Sequence, residues 1–253
     1  MSKIYAMFNQ KGGVGKTTTC ANLCCAIAEC GKTVLAVDFD AQSNLTSGLN
    51  INKQTLRANV YHVLMGDKGP KDVILATDTP NLYILPASID LAGAEVEMSN
   101  VPQREIVLRK VLKDIKDDYD YIFIDCPPSL GLLSINALSA ASGVVIPIQC
   151  EYYALEGVSQ LINTVNLVKK SLNPSLEVAG VIMTMYDVRT NLSSQIVQEV
   201  RNYFGSKVFD VIIPRNVRLA EAPSYGMSIL QYDRSSKGAQ AYMQLAEEFI
   251  KKC

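Results

Sequence analysis

The stretch NQKGGVGKTTT, residues 9–19, constrains the fold more than any other part of the chain. It follows an apolar run at residues 4–8 and precedes a segment with helical periodicity, residues 16–30, which Gly31 closes. Glycines carry no Cβ, so the backbone can curl and direct several N–H groups at one anion. The helix that follows adds the positive end of its dipole. This order of elements predicts a phosphate-binding loop at the end of a buried strand.

Individual residues of this loop have expected roles toward a nucleoside triphosphate. Lys16 is expected to reach the β- and γ-phosphates, the Thr17 hydroxyl to ligate Mg²⁺, and Thr18 to reach an α-phosphate oxygen. The loop departs from the general pattern G-x-x-x-x-G-K-[ST], because Gln10 stands where the first glycine is expected. The predicted phosphate-binding residues are Gly12, Gly13, Val14, Gly15, Lys16, Thr17 and Thr18.

Acidic residues end two of the apolar runs. Asp125 ends YIFID, as a Walker B aspartate does, and is expected to hold Mg²⁺ through water. Asp38 and Asp40 end TVLAVDFD, where the carboxyl end of a strand faces the ligand crevice of an open α/β sheet. One of them can act on the attacking water. The alternative for each is helix capping or a solvated turn.

Apolar runs alternate with helical patterns along the whole chain. This order predicts an α/β fold with a mostly parallel sheet flanked by helices on both faces. Residues 50–80 are expected to form an irregular surface excursion, and without a long linker we expect a single domain over residues 1–253. The other predicted strands are LYILPAS, YIFIDCPPS, GVVIPIQ, LEVAGVIMTM and VFDVIIP. Helical apolar spacing joins Leu155, Val158, Leu161, Ile162, Val165 and Val168, and likewise Tyr242, Leu245, Ala246 and Phe249.

Composition narrows the function classes. The formal net charge is −1, so a nucleic-acid site would have to be a local patch. No secretory signal and no run of roughly 18 apolar residues is visible, so we expect a cytoplasmic protein. The seven cysteines form no C-x-x-C pair, which favours small buried hydrophobic side chains in a reduced compartment. A metal or iron–sulfur site is the alternative.

Three motifs together resemble one family. KGGVGKTT is similar to the deviant Walker A motif of the ParA/MinD ATPases, VDFDAQSN to their second acidic motif, and DCPPSLG to their switch II segment. RTNL, IPRNVRLAEAPSYG and YDRSSKGAQAY resemble the chromosomal ParA branch. The likeness covers nearly all 253 residues. It implies the P-loop NTPase fold, ATP and Mg²⁺ as cofactors, and ATP hydrolysis.

The resemblance also implies roles for single residues. Lys11 matches the signature lysine that reaches across a dimer to the partner's nucleotide, and Gly12 lies where two backbones approach closely. Asp40 matches the aspartate required for hydrolysis, which makes Lys11, Lys16 and Asp40 the expected catalytic residues. A trans role for Lys11 is physically reasonable, because Lys16 already occupies the γ-phosphate side of its own loop.

Further implied residues lie in the second half of the chain. Pro214 and Asn216 match the segment that packs on and reads the adenine. In the family, ATP joins two subunits, and the homodimer binds double-stranded DNA without sequence preference until a ParB-type partner stimulates hydrolysis. Arg189 and Arg218 are the best-matched DNA contacts, and the location implied is the nucleoid. The alternative role for these two arginines is a surface ion pair with Asp187 or Glu221. A replication initiator is a further possible partner.

Other functions use the same loop. A MinD-like membrane ATPase for division-site positioning would end in an amphipathic helix, whereas AYMQLAEEFIKKC has an apolar stripe that is needed for packing, so we expect no membrane partner. A nitrogenase-type reductase needs cysteines that none of the seven matches. A nucleotide-binding scaffold without turnover would not need Lys11, Lys16, Asp40 and Asp125.

Overall fold

The computed structural model describes residues 3–152 and 157–253. Leu155, a member of one predicted apolar helix face, lies outside the described residues. In the described part, seven strands form one sheet. The strands are β1 (Lys3–Met7), β2 (Val34–Asp38), β3 (Leu75–Ala76), β4 (Leu82–Leu85), β5 (Tyr121–Asp125), β6 (Gly143–Gln149) and β7 (Glu177–Thr184).

The strand order explains how distant segments meet. The order is β3-β4-β2-β5-β1-β6-β7, and every pair is parallel except β3 with β4. In this register Met7 lies beside Asp125, and Asp125 lies beside Asp38. The glycine loop that follows β1 therefore stands at the same sheet edge as both aspartates. The predicted mostly parallel α/β fold is confirmed.

Helices cover both faces of the sheet. The α-helices are α1 (Lys16–Glu29), α2 (Asn44–Gly48), α3 (Val60–Met65), α4 (Pro70–Val73), α5 (Leu91–Glu97), α6 (Val107–Lys113), α7 (Leu132–Ala140), α8 (Val158–Ser171), α9 (Asn191–Phe204), α10 (Val217–Glu221), α11 (Ile229–Tyr232) and α12 (Lys237–Lys252). Short 3₁₀ helices lie at Lys53–Thr55, Met98–Asn100, Arg104–Ile106, Lys116–Asp118, Gly205–Lys207 and Ala222–Tyr225. No helix in the described ranges is long and apolar enough to span a bilayer.

Two apolar cores sandwich the sheet because strand side chains alternate between its faces. In β1, Tyr5 and Met7 join one core with α1, α11 and α12, while Ala6 joins the other core with α6, α7, α8 and α9. Every residue of β2 and β5 is buried, as expected of strands covered on both faces. Helix α1 ends one residue before its C-cap Cys30, and Gly31 follows with φ 82°, as predicted.

The strand predicted at VFDVIIP is wrong. Residues 208–214 form only two isolated parallel bridges, Val181 with Val208 and Tyr186 with Pro214. Between them, the amides of Asp210 and Val211 donate to the Glu248 carboxylate at 2.8 and 3.0 Å, so they are unavailable to a strand ladder. The predicted irregular excursion of residues 50–80 contains two short helices and β3.

Candidate nucleotide-binding site

The glycine loop is shaped by positive backbone angles and by tethers to the sheet. Gly13 and Gly15 have φ values of 74° and 87°, which side chains with a Cβ adopt only with strain. The Thr184 hydroxyl, at the end of β7, donates to the Val14 carbonyl at 2.8 Å. The Asn9 amide donates to the Pro147 carbonyl of β6 at 2.8 Å. These two hydrogen bonds fix the loop to the ends of β6 and β7.

A cleft of about 620 Å³ opens over this loop. Lys16 and Asp40 both line it, although they come from different strand ends. The Lys16 ammonium donates to the Lys11 carbonyl at 3.0 Å, and its side chain is buried. Burial lowers the pKa of Lys16, and the nearby Asp125 carboxylate opposes that shift. The other predicted residues that line the cleft are Gly12, Gly13, Gly15, Thr17 and Thr18.

Asp125 lies beneath the loop with both carboxylate oxygens unpaired. The residue is 1% exposed, and neither oxygen has a hydrogen-bond partner among the described residues. Burial raises the pKa of Asp125 well above its usual range, and the Asp38 charge raises it further. Thr17 lies near enough to lower this pKa, but not in hydrogen-bonding geometry. A buried carboxylate without donors fits a hydrated divalent cation, since hard oxygen ligands suit Mg²⁺.

The structure separates Asp38 from Asp40. Asp38 is buried and accepts hydrogen bonds from the Thr46 amide at 2.8 Å and the Thr46 hydroxyl at 2.6 Å. Burial raises the pKa of Asp38 to about 6, although these hydrogen bonds oppose the rise. Asp40 instead lines the cleft and accepts from the Gln42 amide at 2.9 Å. Asp38 therefore anchors α2, and only Asp40 can approach a bound phosphate.

A second cavity, of about 330 Å³, continues from the cleft past Gly15 and Thr18. Pro214 and Asn216 both line it, and its walls are mostly apolar. The Asn216 side-chain oxygen accepts from the Arg218 amide at 2.9 Å and caps α10, which fixes the orientation of the side chain. A flat apolar slot with one oriented amide suits a purine base.

Lys11 and Gly12 have features that the nucleotide cleft of this chain does not explain. Lys11 is partly exposed, does not line the cleft, and its side chain forms no ion pair in the described part of the chain. At Gly12, an added Cβ would meet no atom within 4 Å, and its φ is not positive. Nothing among residues 3–152 and 157–253 therefore requires glycine at position 12.

Sequence reasoning missed Glu95. This residue of α5 lines the cleft, and its Oε1 accepts from the Leu133 amide at the start of α7, at 3.2 Å. It thereby connects α5 to the start of α7, just after the segment DCPPSLG, whose Pro127, Pro128 and Ser129 also line the cleft. No local motif surrounds Glu95, so only tertiary structure reveals its position.

Both candidate DNA-binding arginines are paired on the surface. Arg189 binds Asp187 through two nitrogens, at 2.9 and 2.6 Å, and this contact lowers the pKa of Asp187. Arg218 lies 3.1 Å from Glu221 and also approaches the Tyr232 ring. The surface ion pairs expected as the alternative to DNA contacts are therefore present. Each guanidinium nevertheless has an exposed face.

The cysteines carry no metal site in the described residues, where no group of three or more metal-ligating side chains comes together. Cys20, Cys24 and Cys25 are buried in the core beneath α1, whereas Cys30 is exposed. Burial raises the pKa of Cys25 to about 12, so its thiol stays protonated. The buried cysteines act as small apolar side chains.

Known proteins share this sequence and architecture. A family model described as an AAA domain matches residues 2–178. The chain is 56% identical to the sporulation initiation inhibitor protein Soj of Bacillus subtilis, over 98% of both chains. It is 49% identical to the chromosome partitioning protein ParA of Myxococcus xanthus, covering 100% of this chain and 89% of that one. A crystal structure of cobyrinic acid a,c-diamide synthase from Mycobacterium smegmatis with bound ADP and magnesium superposes with a TM-score of 0.88, at 39% identity over 99% and 95% of the two chains.

Proposed function

Because this chain belongs to the ParA/MinD family of ATPases, we propose that it is a ParA-type partitioning ATPase that segregates chromosomal or plasmid DNA. It binds ATP and Mg²⁺ and hydrolyses ATP to ADP and phosphate. The observation that carries this proposal is the cleft that joins Lys16 and Asp40 above the unpaired Asp125 carboxylate. The synthase named in the structural comparison shares the fold and the nucleotide, and both full-length relatives at higher identity are partitioning or Soj proteins.

In this proposal, different residues of the chain bind the phosphates, the adenine and the attacking water. Backbone N–H groups of Gly12 to Thr18 cradle the phosphates, and the Lys16 ammonium leaves the Lys11 carbonyl to contact the β- and γ-phosphates. Pro214 and Asn216 hold the adenine in the second cavity. Asp40 orients the attacking water, because it is the cleft-lining carboxylate of the pair.

Thr17 and Asp125 are the residues that would hold Mg²⁺, Thr17 directly and Asp125 through water. When bound, the ion neutralises charge on the β- and γ-phosphate oxygens. The unpaired oxygens of Asp125 support this assignment, because a positive charge above them offsets the cost of burying the carboxylate.

The active unit in this proposal is a homodimer that forms when ATP binds. Two observations support it: Lys11 is partly exposed and does not line its own cleft, and Gly12 has open space where a Cβ would stand. A second subunit can approach the backbone at Gly12 and receive Lys11 at its own γ-phosphate. Lys11 then neutralises transition-state charge in trans, a contribution worth roughly 10³–10⁵ in rate for arginine fingers.

The dimer binds double-stranded DNA without sequence preference through a patch that includes Arg189 and Arg218. Their exposed guanidinium faces support this role, and exchanging a surface carboxylate for a phosphate costs little. A ParB-type protein stimulates hydrolysis and releases the DNA, and a replication initiator is a further partner. The protein would reside in the cytoplasm on the nucleoid, as one domain spanning residues 1–253.

The MinD-like alternative needs a helix with a free apolar face. Helix α12 instead buries its apolar side chains, among them Tyr242, Leu245 and Phe249, in the core beside α1. That packing supports the partitioning function over membrane attachment.

The test measures phosphate release and sedimentation together. With ATP and Mg²⁺, the wild type should sediment as a dimer, and duplex DNA plus a ParB-type partner should raise phosphate release. With ADP it should sediment as a monomer. Sedimentation that does not depend on ATP contradicts the switch, and ATP-dependent binding to liposomes but not to DNA favours the MinD-like function.

A further inference from the structure

A separate cleft, lined by basic and hydroxyl side chains among apolar ones, lies at the opposite edge of the sheet from the nucleotide site. It is lined by α6, α7 and the segments at the amino ends of β1, β6 and β7. The amino ends of parallel strands lie opposite their carboxyl ends, so this cleft is separate from the glycine loop. Its volume is about 580 Å³, which suits a small-molecule ligand.

Four basic side chains line this cleft without acidic partners: Arg109, Lys110, Lys113 and Lys116. Across residues 3–152 and 157–253, no carboxylate oxygen lies within 4.0 Å of their charged nitrogens. Arg109 and Lys110 donate to the Leu172 carbonyl and to the Gln103 side chain, at 2.9 and 2.8 Å. These four cations thus line one cleft without a direct ion pair, although acidic residues such as Asp114 and Asp117 are close to them in sequence.

A buried hydroxyl at the same cleft also lacks a partner. Ser139, in α7, lines the cleft and is 1% exposed, and its Oγ forms no hydrogen bond within the described residues. A buried hydroxyl left unpaired costs about 1–3 kcal/mol. The neighbouring Ser142 and Ser175 hydroxyls are already engaged, with the Ile4 carbonyl and with Asn173, both at 2.8 Å. Ser139 is therefore a donor without an acceptor among the residues that the structure describes.

We propose that this cleft binds a small, multiply charged phosphate anion, such as a phosphorylated metabolite or an oligophosphate, independently of ATP. Lysine and arginine side chains that converge on one cavity are the usual recognition elements for phosphate. A concave site of this volume favours a compact anion over duplex DNA, which needs an extended basic stripe. The anion also supplies acceptors that the Ser139 hydroxyl lacks, through a bound water, because the Oγ itself is buried.

The test is calorimetric titration of inorganic pyrophosphate into the full chain saturated with Mg-ADP, so that the glycine loop is occupied. We expect one binding event per chain. Lys113→Gln with Lys116→Gln should weaken it roughly tenfold or more, because two charge-assisted contacts are lost. The control, Lys68→Gln with Lys251→Gln, removes the same charge from exposed positions outside the cleft and should leave the affinity unchanged.

Ser139→Ala is the second variant, chosen because it removes the unpaired hydroxyl without changing charge. Its melting temperature should equal or exceed that of the wild type, while its pyrophosphate affinity falls. Absence of binding to the ADP-saturated wild type, or equal weakening in both lysine pairs, overturns the proposal. So does a loss of duplex DNA binding in Lys113→Gln/Lys116→Gln, which would make the cleft part of a nucleic-acid surface.

Discussion

The ammonium of Lys16 donates a hydrogen bond to the backbone carbonyl of Lys11, at 3.0 Å. One lysine of the loop is thus held by the main chain of the other. Because Lys11 contributes its carbonyl, its side chain can be removed without disturbing this contact. The two lysines can therefore be tested separately.

Lys11→Ala should bind ATP with nearly wild-type affinity, because the Lys16 contact depends only on the backbone of residue 11. Hydrolysis should fall by about 10³-fold or more, since a charge in trans at the transition state is lost. ATP-dependent dimer formation should be lost as well. Fluorescent-nucleotide binding and phosphate release measure the two effects.

Two controls frame this result. Lys16→Ala should lose nucleotide binding itself, and Lys68→Ala, an exposed lysine far from the loop, should behave as wild type. Turnover that survives in Lys11→Ala contradicts the trans role of Lys11.

Asp40→Ala should bind ATP and accumulate as a dimer that does not turn over, because Asp40 lines the cleft without holding the phosphates. Loss of a positioned general base costs about 10²–10⁴ in rate. Sedimentation with ATP, followed over hours, measures the trapped dimer. Asp114→Ala, at an exposed position on the far side of the sheet, is the control. Wild-type turnover in Asp40→Ala would assign the water to another residue.

Arg189→Ala with Arg218→Ala should abolish duplex binding, while ATP-driven dimerisation persists. The melting temperature should change little, because exposed ion pairs contribute under about 1 kcal/mol. Wild-type DNA affinity should fall steeply with salt and depend little on sequence. Arg104→Ala breaks a comparable exposed pair with Glu105 and serves as the control. Retention of DNA by the double variant at low salt means that other residues form the patch.

Asp125→Asn should stabilise the nucleotide-free protein and yet weaken catalysis. Above the raised pKa of Asp125, the substitution removes a buried charge with no hydrogen-bond partner, so the free energy of unfolding without Mg²⁺ should rise there by about 1 kcal/mol or more. Hydrolysis should fall about 10–100-fold, as for other residues that act on a metal through water. Chemical denaturation with EDTA and phosphate release with Mg-ATP measure the two effects. A fall in stability with EDTA would show that Asp125 has a structural partner.

Asp38 should make stability depend on pH. Its pKa is raised from 3.8 to about 6 in the folded state, so the folded protein binds the proton more tightly than the unfolded chain. The stability from this proton is fully present below about pH 4 and is lost as pH rises through about 6. Relative to Asp38→Asn, the wild type should therefore lose about 2 kcal/mol between pH 4 and 7.

Urea denaturation across this pH range measures the difference between the two proteins. Thr46→Val provides the matched comparison, because the Thr46 hydroxyl lowers the pKa of Asp38. Without that hydroxyl the pKa of Asp38 should rise further, so the loss of stability should occur at a higher pH. A difference between wild type and Asp38→Asn that stays constant from pH 4 to 7 contradicts the assignment.

Local pattern predicted the parts of the fold that depend on burial alone. The apolar runs of β1, β2 and β4 to β7 were readable because strands covered on both faces are apolar throughout. The run at residues 208–214 has the same pattern but fails to form a strand, because Glu248 takes two of its amides. No periodicity in the run itself records an acceptor 38 residues away.

The site residues also fall into two groups: those that a local motif predicts and those that only tertiary contacts reveal. The loop and Asp125 are visible as motifs, since strand, glycines and carboxylate lie in short contiguous segments. The choice between Asp38 and Asp40 required the Thr46 contacts, and Glu95 required the packing of α5 against α7. Pro214 and Asn216, on the adenine side, could be predicted only from the family resemblance. No local sequence pattern indicates that they lie near a loop so distant in the chain.

The nucleotide pocket is assembled from both ends of the chain, from Gly12 to Asn216. During synthesis, the phosphate loop and Asp125 leave the ribosome long before the residues that enclose the base. A nascent chain that stops short of β7 lacks Thr184, which fixes the loop through Val14. The enclosed pocket therefore exists only once synthesis has passed Asn216, so the order in which the segments are made sets when a growing chain can close around a base.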